Sequence, residues 1–125
     1  MTLLVQTYMW HQTTSIKALL DSGATHNFID KRAVEKLTLR TKVLPQKLQV
    51  NNVDGTLNQE GDITQYCNLW ISRGSEAVKM GFYIANLGKD QLILGHPWFK
   101  IFNPTIDWTT NQLLGPDVTI QMAGY

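Results

Sequence analysis

Apolar and polar residues alternate with a period of two along much of this chain, the pattern of strands with one buried face. Ile63, Cys67, Leu69 and Ile71 carry it through ITQYCNLWI, and Val78, Met80, Phe82 and Ile84 carry it through AVKMGFYI. The turn-forming cluster Ser72-Arg73-Gly74-Ser75-Glu76 lies between them, so the pair predicts a long antiparallel hairpin. Leu3 to Tyr8 and Ser15 to Leu20 are apolar and β-branched enough for strands, and Val118, Ile120 and Met122 repeat the alternation near the C-terminus. Pro104 to Leu114 reads as a shorter hairpin, with Ile106-Asp107-Trp108 and Leu113-Leu114 as its arms.

Helical signals are scarce. Asp30 can cap a short helix over Lys31 to Leu37, in which Ala33, Val34 and Leu37 share one face. A second helix is expected from about Pro97, which suits a first helical turn. It carries Trp98, Phe99 and Phe102 and should end at Asn103-Pro104, because the residue before a proline disfavours helix. The predicted class is mainly β with one or two short helices.

Length and charge narrow the function classes. At 125 residues the chain reads as one domain, 1–125. Two independent lobes would have about 60 residues each and marginal cores. Lys and Arg number 11 against 10 Asp and Glu, without the basic excess of a nucleic-acid binder, so no direct nucleic-acid contact is expected. Lys31, Arg32, Lys36, Arg40, Lys42 and Lys47 do cluster around a single acid, Glu35, which fits a solvated face or a docking face for an acidic partner. Cys67 is the only cysteine, so no intrachain disulfide can form and a reducing, cytoplasmic setting fits. Leu3-Leu4-Val5 is too short to span a bilayer, and no membrane partner is expected.

Three segments carry candidate chemistry. Asp21-Ser22-Gly23-Ala24 follows the apolar Ala18-Leu19-Leu20, placing a carboxylate at the end of a buried strand on a turn that Gly23 opens to close approach. Asp-Ser-Gly is also ordinary turn vocabulary. Val53-Asp54-Gly55-Thr56 has polar residues on both sides, so it reads as an ordinary exposed hairpin or as a moving flap. Leu92-Ile93-Leu94-Gly95 is an apolar strand that ends in glycine and enters the helix at His96-Pro97. His11, His26, His96 and Cys67 are metal-ligand types without the close spacing of a zinc motif, so neither a metal nor a cofactor is expected. Ser22 lacks the G-x-S-x-G elbow of a hydrolase nucleophile.

In this order, ALLDSGATHNFID, VDGT, LILGHPWF and NPTIDW resemble the retropepsin-like aspartic proteases of gypsy-type retrotransposons and their domesticated relatives. The resemblance runs from about Lys17 to Trp108. It implies a retropepsin-like acid protease β-barrel with a flap hairpin, dimerising. It makes Asp21 the catalytic carboxylate, has Ser22 brace paired loops across a dimer axis, and has Gly23 and Ala24 shape the cleft floor. Thr25 and His26 fall where the family contacts substrate backbone, and Asp54, Gly55 and Thr56 where it places the flap tip. Leu94 and Gly95 would pack beneath the catalytic loop. His96-Pro97 departs from the Met-Asp or similar pair common in relatives after that glycine, which concerns a helix entry rather than the carboxylate.

Peptide hydrolysis by this route needs two carboxylates around one water, and this chain has one DSG. The expectation is therefore a two-fold homodimer acting on a peptide or polyprotein substrate in the cytoplasm or within retrotransposon particles. The terminal strands Leu3–Tyr8 and Val118–Met122 are the expected sites of intermolecular pairing. The alternative is an inactive module that keeps the fold for dimerisation or peptide binding.

Overall fold

The computed structural model describes residues 1–9, 12–49 and 62–122. The expected flap tip, Asp54, Gly55 and Thr56, lies outside the described residues, as do Trp10 and His11. The elements in chain order are β1 (Thr2–Met9), β2 (Gln12–Leu20), β3 (Phe28–Asp30), α1 (Lys31–Lys36) and β4 (Lys42–Leu48). They continue as β5 (Ile63–Arg73), β6 (Glu76–Ala85), β7 (Leu92–Leu94), α2 (His96–Phe102), β8 (Thr105–Asp107), β9 (Gln112–Leu114) and β10 (Val118–Met122).

The alternating segments become the walls of a barrel. β5 and β6 form the long hairpin, with Leu69 opposite Met80 and Arg73 opposite Glu76. β1 and β2 form a second, with Val5 opposite Ile16. The strand order β10-β1-β2-β7-β3-β6-β5-β4, with a further pairing of β10 to β5, closes seven strands into a ring and leaves β4 outside it. Both terminal strands are therefore interior: β1 lies between β10 and β2, and β10 between β1 and β5. For β10 this corrects the expectation of a free edge, because Thr119–Gln121 are paired on both sides, whereas in β1 only Gln6–Tyr8 are paired with β10 and Thr2–Val5 pair with β2 alone. Among the described residues, free edges remain on β4 and on β8 and β9, which form a separate two-stranded sheet.

Two apolar clusters flank the short central strands. The main core gathers Val5, Ile16, Leu69, Phe82, Leu92, Leu94 and Trp98 among others. Trp98, fully buried, stacks on Phe102 at 5.7 Å and meets Phe99 edge-on at 5.1 Å. A second cluster joins Ala24, Phe28, Ile63, Ala85, Leu87 and Ile93. β7 alternates between them, with Leu92 and Leu94 facing one cluster and Ile93 the other.

The helix ends follow from local chemistry. Asp30 caps α1, its Oδ2 accepting from the Arg32 N–H at 2.9 Å, while its Oδ1 accepts from the Leu87 N–H at 2.8 Å. α2 ends on Asn103 in the left-handed region, φ 42°, immediately before Pro104. The six basic residues of the Lys31–Lys47 stretch are all exposed; Arg32 pairs with Asp30 and Lys47 with Asp62. Among the described residues, no helix is long and apolar enough to cross a membrane.

Phe82 is fully buried at the centre of the β5–β6 hairpin. Phe82→Ala should lower unfolding free energy by about 3–5 kcal/mol, read from a urea titration.

Candidate functional site

β2 and β7 run parallel, with Leu20 beside Leu94, so both strands end at the same level of the barrel. Each leads directly into a turn, Asp21-Ser22-Gly23 in one case and Gly95-His96 in the other. The Asp21 N–H donates to the Leu94 carbonyl at 3.1 Å, extending the β2–β7 pairing up to the carboxylate-bearing residue. The Gly23 N–H donates to Asp21 Oδ1 at 3.0 Å, and the Ala24 N–H to the Asp21 carbonyl at 3.1 Å. The Asp21 carboxylate is thus half-buried and oriented by its own turn, with one oxygen engaged by a backbone donor.

The loop then crosses over the β7–α2 turn. Ala24 is buried and its carbonyl accepts from the His96 N–H at 2.8 Å. A Cβ on Gly95 would overlap the His26 carbonyl oxygen and lie 2.8 Å from that of Ala24. Gly95 has φ −94°, a conformation open to any residue, so space and not torsion requires glycine there. Ser22, Gly23 and Thr25 are exposed, and His26 is half-buried with its ring edge-on to Tyr83 at 5.1 Å. The structure therefore brings Asp21, Ser22, Gly23, Ala24, Thr25 and His26 into one loop seated on Leu94 and Gly95.

Asn27 is a contributor that the sequence pattern did not single out. It is 2% exposed, and its Oδ1 accepts from the Gly95 N–H at 2.8 Å. Its carbonyl accepts from the Tyr83 N–H at 3.0 Å, and its Nδ2 makes a long contact to Met80 Sδ at 3.9 Å. Asn27 thereby ties the Asp21 loop to β6 and to the β7–α2 turn. In the sequence it is one polar residue before Phe28-Ile29, with nothing to separate it from an ordinary loop asparagine.

Among the described residues no group of three His, Cys, Asp or Glu side chains could hold a metal ion. Cys67 is buried in the main core, and burial pushes its thiol up to about 12, which keeps it protonated and a poor ligand. His96 is exposed and takes part in the loop through its backbone N–H.

Two substitutions test this clamp. Gly95→Ala drives a Cβ into the His26 and Ala24 carbonyls and should cost about 3 kcal/mol, the upper end of ordinary overpacking. Asn27→Ala leaves the buried Gly95 N–H without its acceptor and should cost about 1–3 kcal/mol. Asn27→Asp, which keeps an acceptor oxygen, should restore part of that loss in the same denaturant titration.

The profile of the PEG10/RTL1 protease domain matches residues 17–122 of the chain. The crystal structure of the retroviral protease-like domain of Ddi1 from Leishmania major aligns with a TM-score of 0.57 and 20% sequence identity. That alignment covers 95% of this chain and 93% of the Ddi1 domain, a likeness of fold. The closed barrel, the Asp21 turn at its strand ends and the match over residues 17–122 agree: the chain belongs to the PEG10/RTL1 protease domain family and has a retropepsin-like fold.

Proposed function

We propose that the protein is an aspartic endopeptidase that works as a homodimer, with polyprotein cleavage as its task by kinship alone. The observation that carries this reading is the Asp21 carboxylate, half-exposed at the end of a buried strand and oriented by the Gly23 N–H. Two copies related by a two-fold axis would set two Asp21 carboxylates around one water. The ionised carboxylate takes a proton from that water as it attacks the scissile carbonyl carbon. The protonated carboxyl donates to the carbonyl oxygen, giving a neutral gem-diol. As the gem-diol collapses, the protonated carboxyl donates to the departing amine nitrogen, the ionised carboxylate takes a proton from a gem-diol hydroxyl, the C–N bond breaks, and the pair again shares one proton.

The partner surface we assign is the β8–β9 hairpin rather than β10, whose Thr119–Gln121 are paired on both sides. A two-stranded hairpin is marginal by itself in water. One face of this one is anchored, since Leu113 packs against the main core. Trp108 at its turn is 74% exposed and Leu114 on β9 is 46% exposed. The other strand outside the ring, β4, is guarded by Pro45, Lys42 and Lys47, the residue types that discourage edge pairing. Hydrogen bonds from the Thr109 hydroxyl, the Thr109 N–H and Thr110 hold the Asp107 carboxyl below the usual aspartate range and stabilise the hairpin turn. Because the folded value is depressed, that support is complete above the ordinary aspartate pKa and is lost as pH falls through the lowered one.

Asp21→Asn should abolish cleavage of peptide substrates across about pH 4–7 while sedimentation still shows the dimer. Cleavage at the parental rate would remove Asp21 from catalysis, and a proven dimer of the parent that never cuts would favour a binding module. Trp108→Glu combined with Leu114→Glu should shift the sedimenting species to monomer and abolish cleavage, with the far-UV circular dichroism of the parent retained. A dimer persisting in that double variant would place the interface elsewhere.

A further inference from the structure

A recess of about 370 Å³ opens beside the Asp21 loop, bounded by His26, Asn27, Leu44, Tyr66, Gly81 and Tyr83. It lies on the face of β6 turned away from the main core. Met80, Phe82 and Ile84 point into the barrel, so Gly81 and Tyr83, at the intervening positions, share the opposite face. Tyr66 stands directly across from Tyr83 in the β5–β6 register.

Gly81 is the informative residue. Glycine weakens a strand interior, and its presence there marks a bulge or a close approach by something else. The β5–β6 register runs without interruption past Gly81, which pairs with Asn68, so no bulge accounts for it. Nor does torsion, because φ is outside the left-handed region. A Cβ at this position would meet only the Asn68 amide oxygen, at an ordinary 3.5 Å. The fold therefore has room for a side chain at Gly81, and its lack of one leaves the space beside Tyr83 open.

The walls define what would fit. None of the lining residues is Lys, Arg, Asp or Glu. Aromatic His26, Tyr66 and Tyr83 stand among apolar Leu44, Pro45 and Pro97, with His26 and Tyr83 edge-on at 5.1 Å and an interplanar angle of 83°. Such a set favours a third ring, or another bulky apolar group, in offset or edge-on contact. The volume is at the low end of the range for small-molecule sites, about 300–1,000 Å³, and suits a side chain better than a large cofactor.

The recess is also coupled to the Asp21 loop. His26 lies five positions after Asp21, so their Cα atoms are at most about 18 Å apart, a span that an extended peptide covers in about five residues. Asn27 joins wall and loop through the Tyr83 N–H and the Gly95 N–H. We infer that this recess receives a bulky apolar, ring-bearing side chain of the bound peptide, within about five residues of the scissile bond, and that Gly81 and Tyr83 determine that preference. The inference rests on the reading of Asp21 as a peptide-cleaving centre, but its test does not require cleavage.

The probe is a set of blocked, extended Ala/Ser peptides carrying a single Phe moved stepwise along the chain, with the all-Ala/Ser peptide as control. Binding is measured to dimeric Asp21→Asn protein by calorimetry and by shifts of the Tyr66, Tyr83 and His26 ring protons. At one placement of Phe, affinity should exceed the control by about tenfold or more, with those ring protons shifted. Gly81→Val should erase the difference while leaving thermal stability equal or higher, since valine suits a strand better than glycine. Tyr83→Ala should weaken the same peptide selectively. Equal binding of Phe and control peptides, no binding of any of them, or an undiminished preference in Gly81→Val would overturn the inference. Failure of the cleavage reading would show separately, as undiminished activity of Asp21→Asn.

Discussion

The Asp21 loop crosses over Gly95 with no room for a side chain between them, and the geometry of the site depends on that crossing. The carbonyls of Ala24 and His26 occupy the volume that any side chain at Gly95 would need. Hydrogen bonds from His96 N–H to Ala24 and from Gly95 N–H to Asn27 close the crossing on both sides. With the Asp21 N–H also held by Leu94, the carboxylate sits on a backbone fixed at three points. A reacting group needs to be held within a fraction of an ångström, and short strand-end turns supported by buried structure do this better than a free loop.

That support comes from β7, a three-residue strand buried along its whole length. It pairs with β2 on one side and β3 on the other, and its side chains alternate between the two apolar clusters. Movement of β7 would disturb both clusters at once, so the floor of the site is stiff. The upper side of the loop has the opposite character, with Ser22, Gly23 and Thr25 all exposed. A rigid floor below an exposed, polar rim fits a surface that meets both a peptide and a second copy of the chain.

Much of the architecture was legible because amphipathic strands write their period into the sequence. The β5–β6 hairpin, the β1 and β10 segments, the Asp30 cap and the end of α2 before Pro104 all followed from local rules. Two strands did not. β3 is three residues long, too short for alternation to register, and β4 lies outside the ring with mostly exposed residues, so no buried face patterns it. Asn27 and Gly81 were silent for a different reason: the meaning of each comes from a neighbour far away in sequence, Gly95 for one and the Tyr66–Tyr83 pair for the other.

By itself the sequence determined the mainly β class, the strand that delivers Asp21, the glycine-ended strand Leu92–Leu94, and the fact that one chain carries a single DSG turn. The tertiary structure decided which edges are closed. Alternation states which face of a strand is buried and is silent about which strand lies beside it, because pairing depends on contacts between distant segments. β10 therefore reads as a free terminal edge in sequence, yet it closes the ring between β1 and β5. Among the described residues, free edges remain on β4, β8 and β9 and along Thr2–Val5 of β1.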